Sequence, residues 1–170
     1  VIVAGGAGYI GSHTIRELQN AGFEPIVLDN LVYGHRKIVE EVLEVPLVIG
    51  QVGDKLLLEG LLAGKHPSTR GKHIKGIMHF AAYAYVGESV IDPAKYYRNN
   101  LVETIILLEA LIEDSKKRKS SPIPIVFSSS CATYGIPLKN EIPITETSQQ
   151  NPINPYGRSK LMVEKILIDY

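Results

Sequence analysis

Cysteine is nearly missing from this chain: among 170 residues it occurs once, at Cys131. One thiol excludes an intrachain disulfide framework and a cysteine-rich zinc site, and Cys131 itself reads as a small buried filler. Long apolar runs are missing too, because none reaches the roughly 18 residues a membrane-crossing helix needs. Neither sign of charge dominates: 18 basic residues balance 18 acidic ones. A formal net charge of zero gives no electrostatic reason to expect nucleic acid or a membrane surface as partner. The five histidines, His13, His35, His66, His73 and His79, show no paired helical spacing and no acidic partner pattern, so no metal is expected. The chain opens on Val1 inside an apolar run, so no targeting segment is visible and a cytoplasmic location is the default expectation. What remains is globular: 45% hydrophobic and 21% charged residues, enough for a buried core, over a length that fits one domain.

Short β-rich runs alternate with longer helical stretches. Strands are expected at residues 1–4, 25–28, 47–49, 74–80 and 123–127. Helices are expected at 12–21, stopped by Gly22, and at 55–63, closed by Gly64. Asp92-Pro93 pairs a cap residue with proline at the first helical position, a helix start. Beyond it Leu101, Ile105, Leu108 and Ile112 recur every three or four residues as an apolar stripe. A last helix is expected over 155–170. Strands alternating with helices predict an α/β fold, a Rossmann-like doubly wound parallel sheet with right-handed crossovers. Residues 65–72 and 114–121 read as polar surface loops. The second contains Lys116-Lys117-Arg118-Lys119, taken as a solvated run rather than a binding stripe.

The first strand leads into Gly5-Gly6-Ala7-Gly8-Tyr9-Ile10-Gly11, which satisfies G-x-G-x-x-G between a strand and a helix. Such glycines allow a tight turn, close approach of a pyrophosphate and close helix–strand packing. The phosphates would then sit on a helix N-terminus, where amides are free and the dipole is positive. Asp29 follows Gly11 by 18 residues, at the end of the second strand. An acid at about that spacing hydrogen-bonds the adenosine ribose hydroxyls and repels the extra phosphate of NADP, so NAD is the expected cofactor. Arg36 and Lys37 lie near enough to keep NADP as an alternative.

Tyr156 and Lys160 form a Y-x-x-x-K spacing. On a helix, residues i and i+4 share a face. An ammonium one turn from a phenol favours the phenolate, which can act as general base on a sugar or alcohol hydroxyl. Ser128-Ser129-Ser130 follow the fifth strand, where parallel sheets bind ligands, and a hydroxyl there can hold a substrate oxygen. Each feature has a bland reading: a surface helix with a lysine neighbour, or a polar strand end. Their combination with a dinucleotide motif is far more specific.

Taken together these residues resemble the extended short-chain dehydrogenase/reductase family, and within it the UDP-sugar 4-epimerases. The matching segments are GGAGYIGSHT at 5–14, LDNL at 28–31, GD at 53–54, HFAAYAYVGESV at 79–90, YYRNN at 96–100, FSSSCATYG at 127–135 and NPYGRSKLMVEKIL at 154–167. The resemblance implies that Gly5, Gly8, Tyr9, Ile10 and Gly11 line the pyrophosphate. Asp29 and Asn30 would contact the adenosine ribose, and Asp54 would read the adenine. Phe80, Ala81 and Ala82 would line the cofactor, with Asn99 nearby. Ser130 would bond the sugar's 4-oxygen, Tyr156 would be the base, and Lys160 would hold the nicotinamide ribose and tune Tyr156. The implied reaction is transient oxidation at C4 and hydride return, interconverting UDP-glucose and UDP-galactose; UDP-pentoses and UDP-uronates remain open. The chain departs from the family at Ala4, Lys55, Ala84 and Glu103; at Ala84 some epimerases carry a lysine near the cofactor. The related 4,6-dehydratases carry an acid just after the catalytic hydroxyl, where Cys131 and Ala132 stand, and no glutamate stands at Thr133 as in decarboxylating relatives.

Members of the family are about twice as long, so the chain is expected to be a fragment, the alternative being a naturally truncated chain: residues 1–170 as the N-terminal NAD-binding part, without the C-terminal substrate domain. A UDP-sugar is the expected small-molecule partner. Members are often dimers, and the stripe from Leu101 to Ile112 is a candidate homodimer surface, its alternative being packing against the sheet. A non-catalytic NAD-binding module is the competing functional class, and a dehydrogenase that releases NADH is a third.

Overall fold

The computed structural model describes residues 1–170. It divides into two compact units. The first, Val1–Ala81 with Ile105–Ser128, holds five parallel strands: β1 (Ile2–Ala4), β2 (Ile26–Asp29), β3 (Leu47–Ile49), β4 (Ile77–His79) and β5 (Ile125–Phe127). Their order is β3-β2-β1-β4-β5. Val3 of β1 is paired with Val27 on one side and Met78 on the other. The chain therefore runs outward from β1 to β3, returns, and continues on the other side, which makes a switch point between β1 and β4. This is the doubly wound parallel sheet expected from the sequence.

The strand cores are continuous apolar runs because helices cover both faces. Alternate residues serve opposite faces. Ile2, Ala4, Ile26 and Leu28 pack with Leu58, Leu61, Leu107 and Leu111, which belong to helices α2 (Lys55–Leu62) and α5 (Glu103–Arg118). Val3 and Val27 pack with Ile15 of α1 (Tyr9–Asn20). α1 starts three residues before the expected Ser12. It ends as expected, with Gly22 in the left-handed region at φ 79°. α2 begins at Asp54, whose carboxylate accepts the Leu57 amide at 3.0 Å.

Residues 114–121 are not the surface loop expected from their charge. α5 continues to Arg118, and Asp114 and Ser115 are buried. Arg118 reaches back one turn to Asp114 at 2.6 Å. The basic run sits in the last turn, where the helix dipole favours cations. The apolar stripe is also rotated: Thr104, Leu107, Leu108 and Leu111 are buried, whereas Leu101, Ile105 and Ile112 are half-buried. A π-helical turn at Tyr97–Val102 precedes α5. Its wider winding breaks the simple 3.6-residue phase carried across it.

The second unit, Ala82–Thr104 with Ser129–Tyr170, contains α3 (Val86–Ile91), α4 (Pro93–Tyr96), the π-helical turn and α6 (Pro155–Asp169). Asp92 caps α4 by accepting the Lys95 amide at 3.1 Å, with Pro93 at the first position as expected. Its interior is partly polar, with Tyr96, Asn100, Thr133, Ser159 and Lys160 all buried. No helix is long and apolar enough to cross a membrane.

Candidate functional site

In the first unit the residues expected to hold a dinucleotide surround the carboxyl ends of β1, β2 and β3. The glycine turn folds back on itself, with the Gly8 amide donating to the Gly5 carbonyl at 3.3 Å. A Cβ on Gly11 would collide with that same carbonyl oxygen and lie 2.7 Å from Cα of Gly6. Position 11 is thus glycine because α1 enters directly over the turn. Gly8 caps α1 without a side-chain hydrogen bond. Ser12 is the residue whose amide reaches the Gly8 carbonyl, at 2.9 Å; those before it have no helical acceptor. Tyr9 and Ile10 carry exposed side chains there. Free amides at the positive end of a 12-residue helix form a cradle for an anion.

Asp29 is tied to this turn. Its Oδ2 accepts the Ala7 amide at 3.0 Å and its Oδ1 accepts the Leu31 amide at 2.8 Å. A carboxylate has about four acceptor sites, so two remain for ribose hydroxyls. Asn30 donates to Oε1 of Gln51 at 3.0 Å, which links the ends of β2 and β3. Asp54 lies beyond β3: its amide donates to the Gln51 carbonyl at 3.2 Å, and its carboxylate caps α2. Phe80 and Ala81 leave β4 with both amides donating to the Ala4 carbonyl, at 2.8 and 2.9 Å, and remain half-buried. His79 is buried, with its ring 5.7 Å from that of Phe127, as a packed strand-end residue should be. Lys55, one of the departures, pairs with Glu113 at 2.8 Å and so joins α2 to α5.

The second unit brings together the residues expected to do chemistry. Asn154 caps α6, accepting the Gly157 amide at 2.8 Å, and Pro155 takes the first helical position. Tyr156 and Lys160 follow one turn apart on one face. Lys160 is 3% exposed, and burial lowers its ammonium pKa to about 8. It still carries its charge at neutral pH. The Tyr156 ring stands edge-on to Tyr96, 6.4 Å between centroids. Ser130 begins the 3₁₀ turn Cys131–Thr133, its Oγ accepting the Ala132 amide at 3.2 Å. This turn lies against the start of α6: a Cβ on Gly157 would strike the Ala132 carbonyl oxygen. Only glycine there lets the Ser130 turn approach the Tyr156 helix so closely.

Cys131 is exposed, not the buried filler expected. The 3₁₀ turn aims it outward while Thr133 fills the interior. Ala82 is half-buried at the start of this unit. Asn99 donates to Oδ1 of Asn100 at 2.9 Å.

Sequence reasoning singled out Asn99 and passed over its neighbour. Asn100 is 3% exposed. It accepts the Tyr83 amide at 2.9 Å and donates to the Tyr83 carbonyl and to Oγ of Ser159, each at 3.0 Å. It therefore fixes α6 between Tyr156 and Lys160. Tyr96 was also missed. Fully buried, its hydroxyl meets the Tyr85 carbonyl at 2.7 Å and Glu88 at 2.8 Å, and Lys95 closes on Glu88 at 2.5 Å. The available signal was the polar and aromatic density of residues 96–100 in a helical stretch.

The chain is similar to known proteins along its whole length. The model of the NAD dependent epimerase/dehydratase family matches residues 1–170. A UDP-glucose 4-epimerase of Rhizobium leguminosarum bv. trifolii is 45% identical over 170 residues, covering 100% of this chain and 46% of that protein. The crystal structure of a UDP-glucose 4-epimerase from Brucella ovis in complex with NAD superposes with a TM-score of 0.82 at 46% identity, covering 99% of this chain and 46% of the other. A UDP-glucose 4-epimerase from Stenotrophomonas maltophila, solved with bound NAD and formylated UDP-arabinopyranose, gives a TM-score of 0.84 at 34% identity, covering 99% and 47%. The chain thus spans about half the length of the relatives it matches. The sheet order, the glycine turn and a match along the whole sequence lead to one conclusion: this chain belongs to the NAD-dependent epimerase/dehydratase family.

Proposed function

We propose that this chain is the cofactor-holding and proton-transferring part of a NAD-dependent UDP-sugar 4-epimerase that interconverts UDP-glucose and UDP-galactose. The observation that carries the reading is Tyr156 one turn from the buried Lys160, with the Ser130 turn packed on the same helix. A binding module has no use for that set.

The residues present suit the cofactor. The uncapped N-terminus of α1 accepts a pyrophosphate, and the Asp29 carboxylate, already oriented by the Ala7 amide, accepts ribose hydroxyls. Gly5, Gly8, Tyr9, Ile10 and Gly11 would hold the pyrophosphate, Asp29 and Asn30 the adenosine ribose, and Asp54 the adenine. Phe80, Ala81, Ala82 and Asn99 would line the remainder, and Lys160 the nicotinamide ribose. When bound, NAD supplies a reversible two-electron acceptor for the hydride at the sugar's C4.

Tyr156 takes the proton of the 4-hydroxyl as general base, with Lys160 one turn along the same face of α6. The Ser130 hydroxyl donates a hydrogen bond to the 4-oxygen and holds it in line. Tyr156 then returns its proton to that oxygen once the 4-keto sugar has presented its other face, which inverts C4 without net redox. No carboxylic acid stands at positions 131 and 132, where the dehydratases carry the one that elimination of water uses.

The test is turnover of UDP-galactose by the purified full-length protein. Tyr156→Phe is expected to lower kcat by about 10²-fold or more. Unchanged turnover in that variant refutes the mechanism. Net accumulation of NADH makes the protein a dehydrogenase instead. The formylated UDP-arabinopyranose bound to the Stenotrophomonas maltophila relative favours a second reading, a pentose substrate, which faster turnover of UDP-arabinose would establish.

A further inference from the structure

We propose that Glu164 is the positioning residue for Ser130, a role that rests on the reading in which Ser130 holds the sugar's 4-oxygen. Tyr156, Lys160 and Glu164 stand at i, i+4 and i+8 of α6, one above another on a single face. The Glu164 carboxylate takes no cation. The Ser129 hydroxyl donates to its Oε1, and Nε2 of Gln150 donates to its Oε2 at 2.6 Å. That same Nε2 reaches Oγ1 of Thr133 at 3.2 Å. The Thr133 hydroxyl in turn donates to the Ser130 carbonyl at 2.9 Å. One carboxylate thus grips the residue before Ser130 directly and the turn after it through Gln150 and the buried Thr133. Charge-assisted bonds of this kind are stronger and more directional than neutral ones. Their effect is to fasten Ser130 to the helix that carries Tyr156 and Lys160. A glutamate serving only solubility would hold no such pair of neutral donors from two separate segments.

The test is a double-mutant cycle on the full-length protein with UDP-galactose. Glu164→Ala is expected to lower kcat roughly 10- to 100-fold, the scale of a small misplacement of a reacting group, with KM and NAD content unchanged. Introduced into Ser130→Ala, it is expected to change kcat less than about 2-fold, because residues that act as a unit are not additive. A loss that persists in full without the Ser130 hydroxyl overturns the proposal, as does a Glu164→Ala enzyme with the parent's kcat. Ser129→Ala leaves α6 untouched and is expected to reproduce part of the loss, which guards against a misfolded Glu164→Ala. Amide exchange decides the question without turnover. The amides of Ala132 and Thr133, both bonded to Ser130, are expected to exchange about 10-fold faster in Glu164→Ala, those of β1 unchanged; equal protection at 132 and 133 overturns the proposal. If the UDP-sugar reading is wrong, the parent shows no turnover and Tyr156→Phe is silent, while the exchange result stands.

Discussion

The Ala7 amide donates to the Asp29 carboxylate across 22 residues of sequence, at 3.0 Å. The acid expected to meet the ribose therefore also shapes the glycine turn expected to meet the phosphates. Asp29→Ala removes the acceptor of two amides, Ala7 and Leu31, one of them buried. It is expected to cost about 1–3 kcal/mol of stability and to empty the protein of dinucleotide. Urea unfolding measures the first. Assay of NAD(H) in the supernatant of denatured protein measures the second.

Gly11→Ala places a methyl group against the Gly5 carbonyl. Backbone must move, which costs roughly 1–3 kcal/mol. A lowered melting temperature together with lost dinucleotide is the expected result. A variant that binds NAD normally would mean that the turn tolerates a wider opening than its packing implies.

Lys160 gives a pH signature. Its pKa falls from 10.5 in the unfolded chain to about 8 in the fold. Burial of the ammonium is therefore a cost, fully present below pH 8. The cost is relieved as pH rises from 8 to 10.5, where the unfolded chain binds the extra proton. Lys160→Met removes it. The variant is expected to be more stable than the parent at pH 7, by up to about 3 kcal/mol, and the difference should vanish above pH 10.5. Turnover should be lost throughout. Guanidinium unfolding at several pH values checks this, and a difference that grows with pH would reverse the sign.

Asn100→Leu strips partners from both the amide and the carbonyl of Tyr83 and from Ser159. Loss of a buried, fully used amide is expected to destabilise by about 2–4 kcal/mol. Thermal unfolding reads this, and a change within experimental error would show that water replaces the side chain.

Much of the first unit was legible because its signals are local. Apolar runs gave all five strands, Gly22 and Gly64 the helix ends, and the spacing from Gly11 to Asp29 the paired anchors. Misreadings arose where winding or distance intervened. The charges of residues 114–119 suggested a loop, yet the Asp114–Arg118 pair and the helix dipole carry α5 through them. The π-helical turn shifts Leu101 out of phase with the apolar residues of α5, a change no periodicity count contains. α3 went unseen because six residues hold too few turns for a pattern. Tyr156 and Lys160 could be read from one helix. The grip of Glu164 on Ser129, 35 residues away, could not.

The exposed thiol of Cys131 gives the protein a built-in spectroscopic handle. As the one cysteine of residues 1–170, it accepts a fluorophore or a fluorine tag at a single place in this segment. The tag stands one residue from Ser130. Events at that serine can therefore be followed as changes in colour or chemical shift, in real time and in the unmodified sequence.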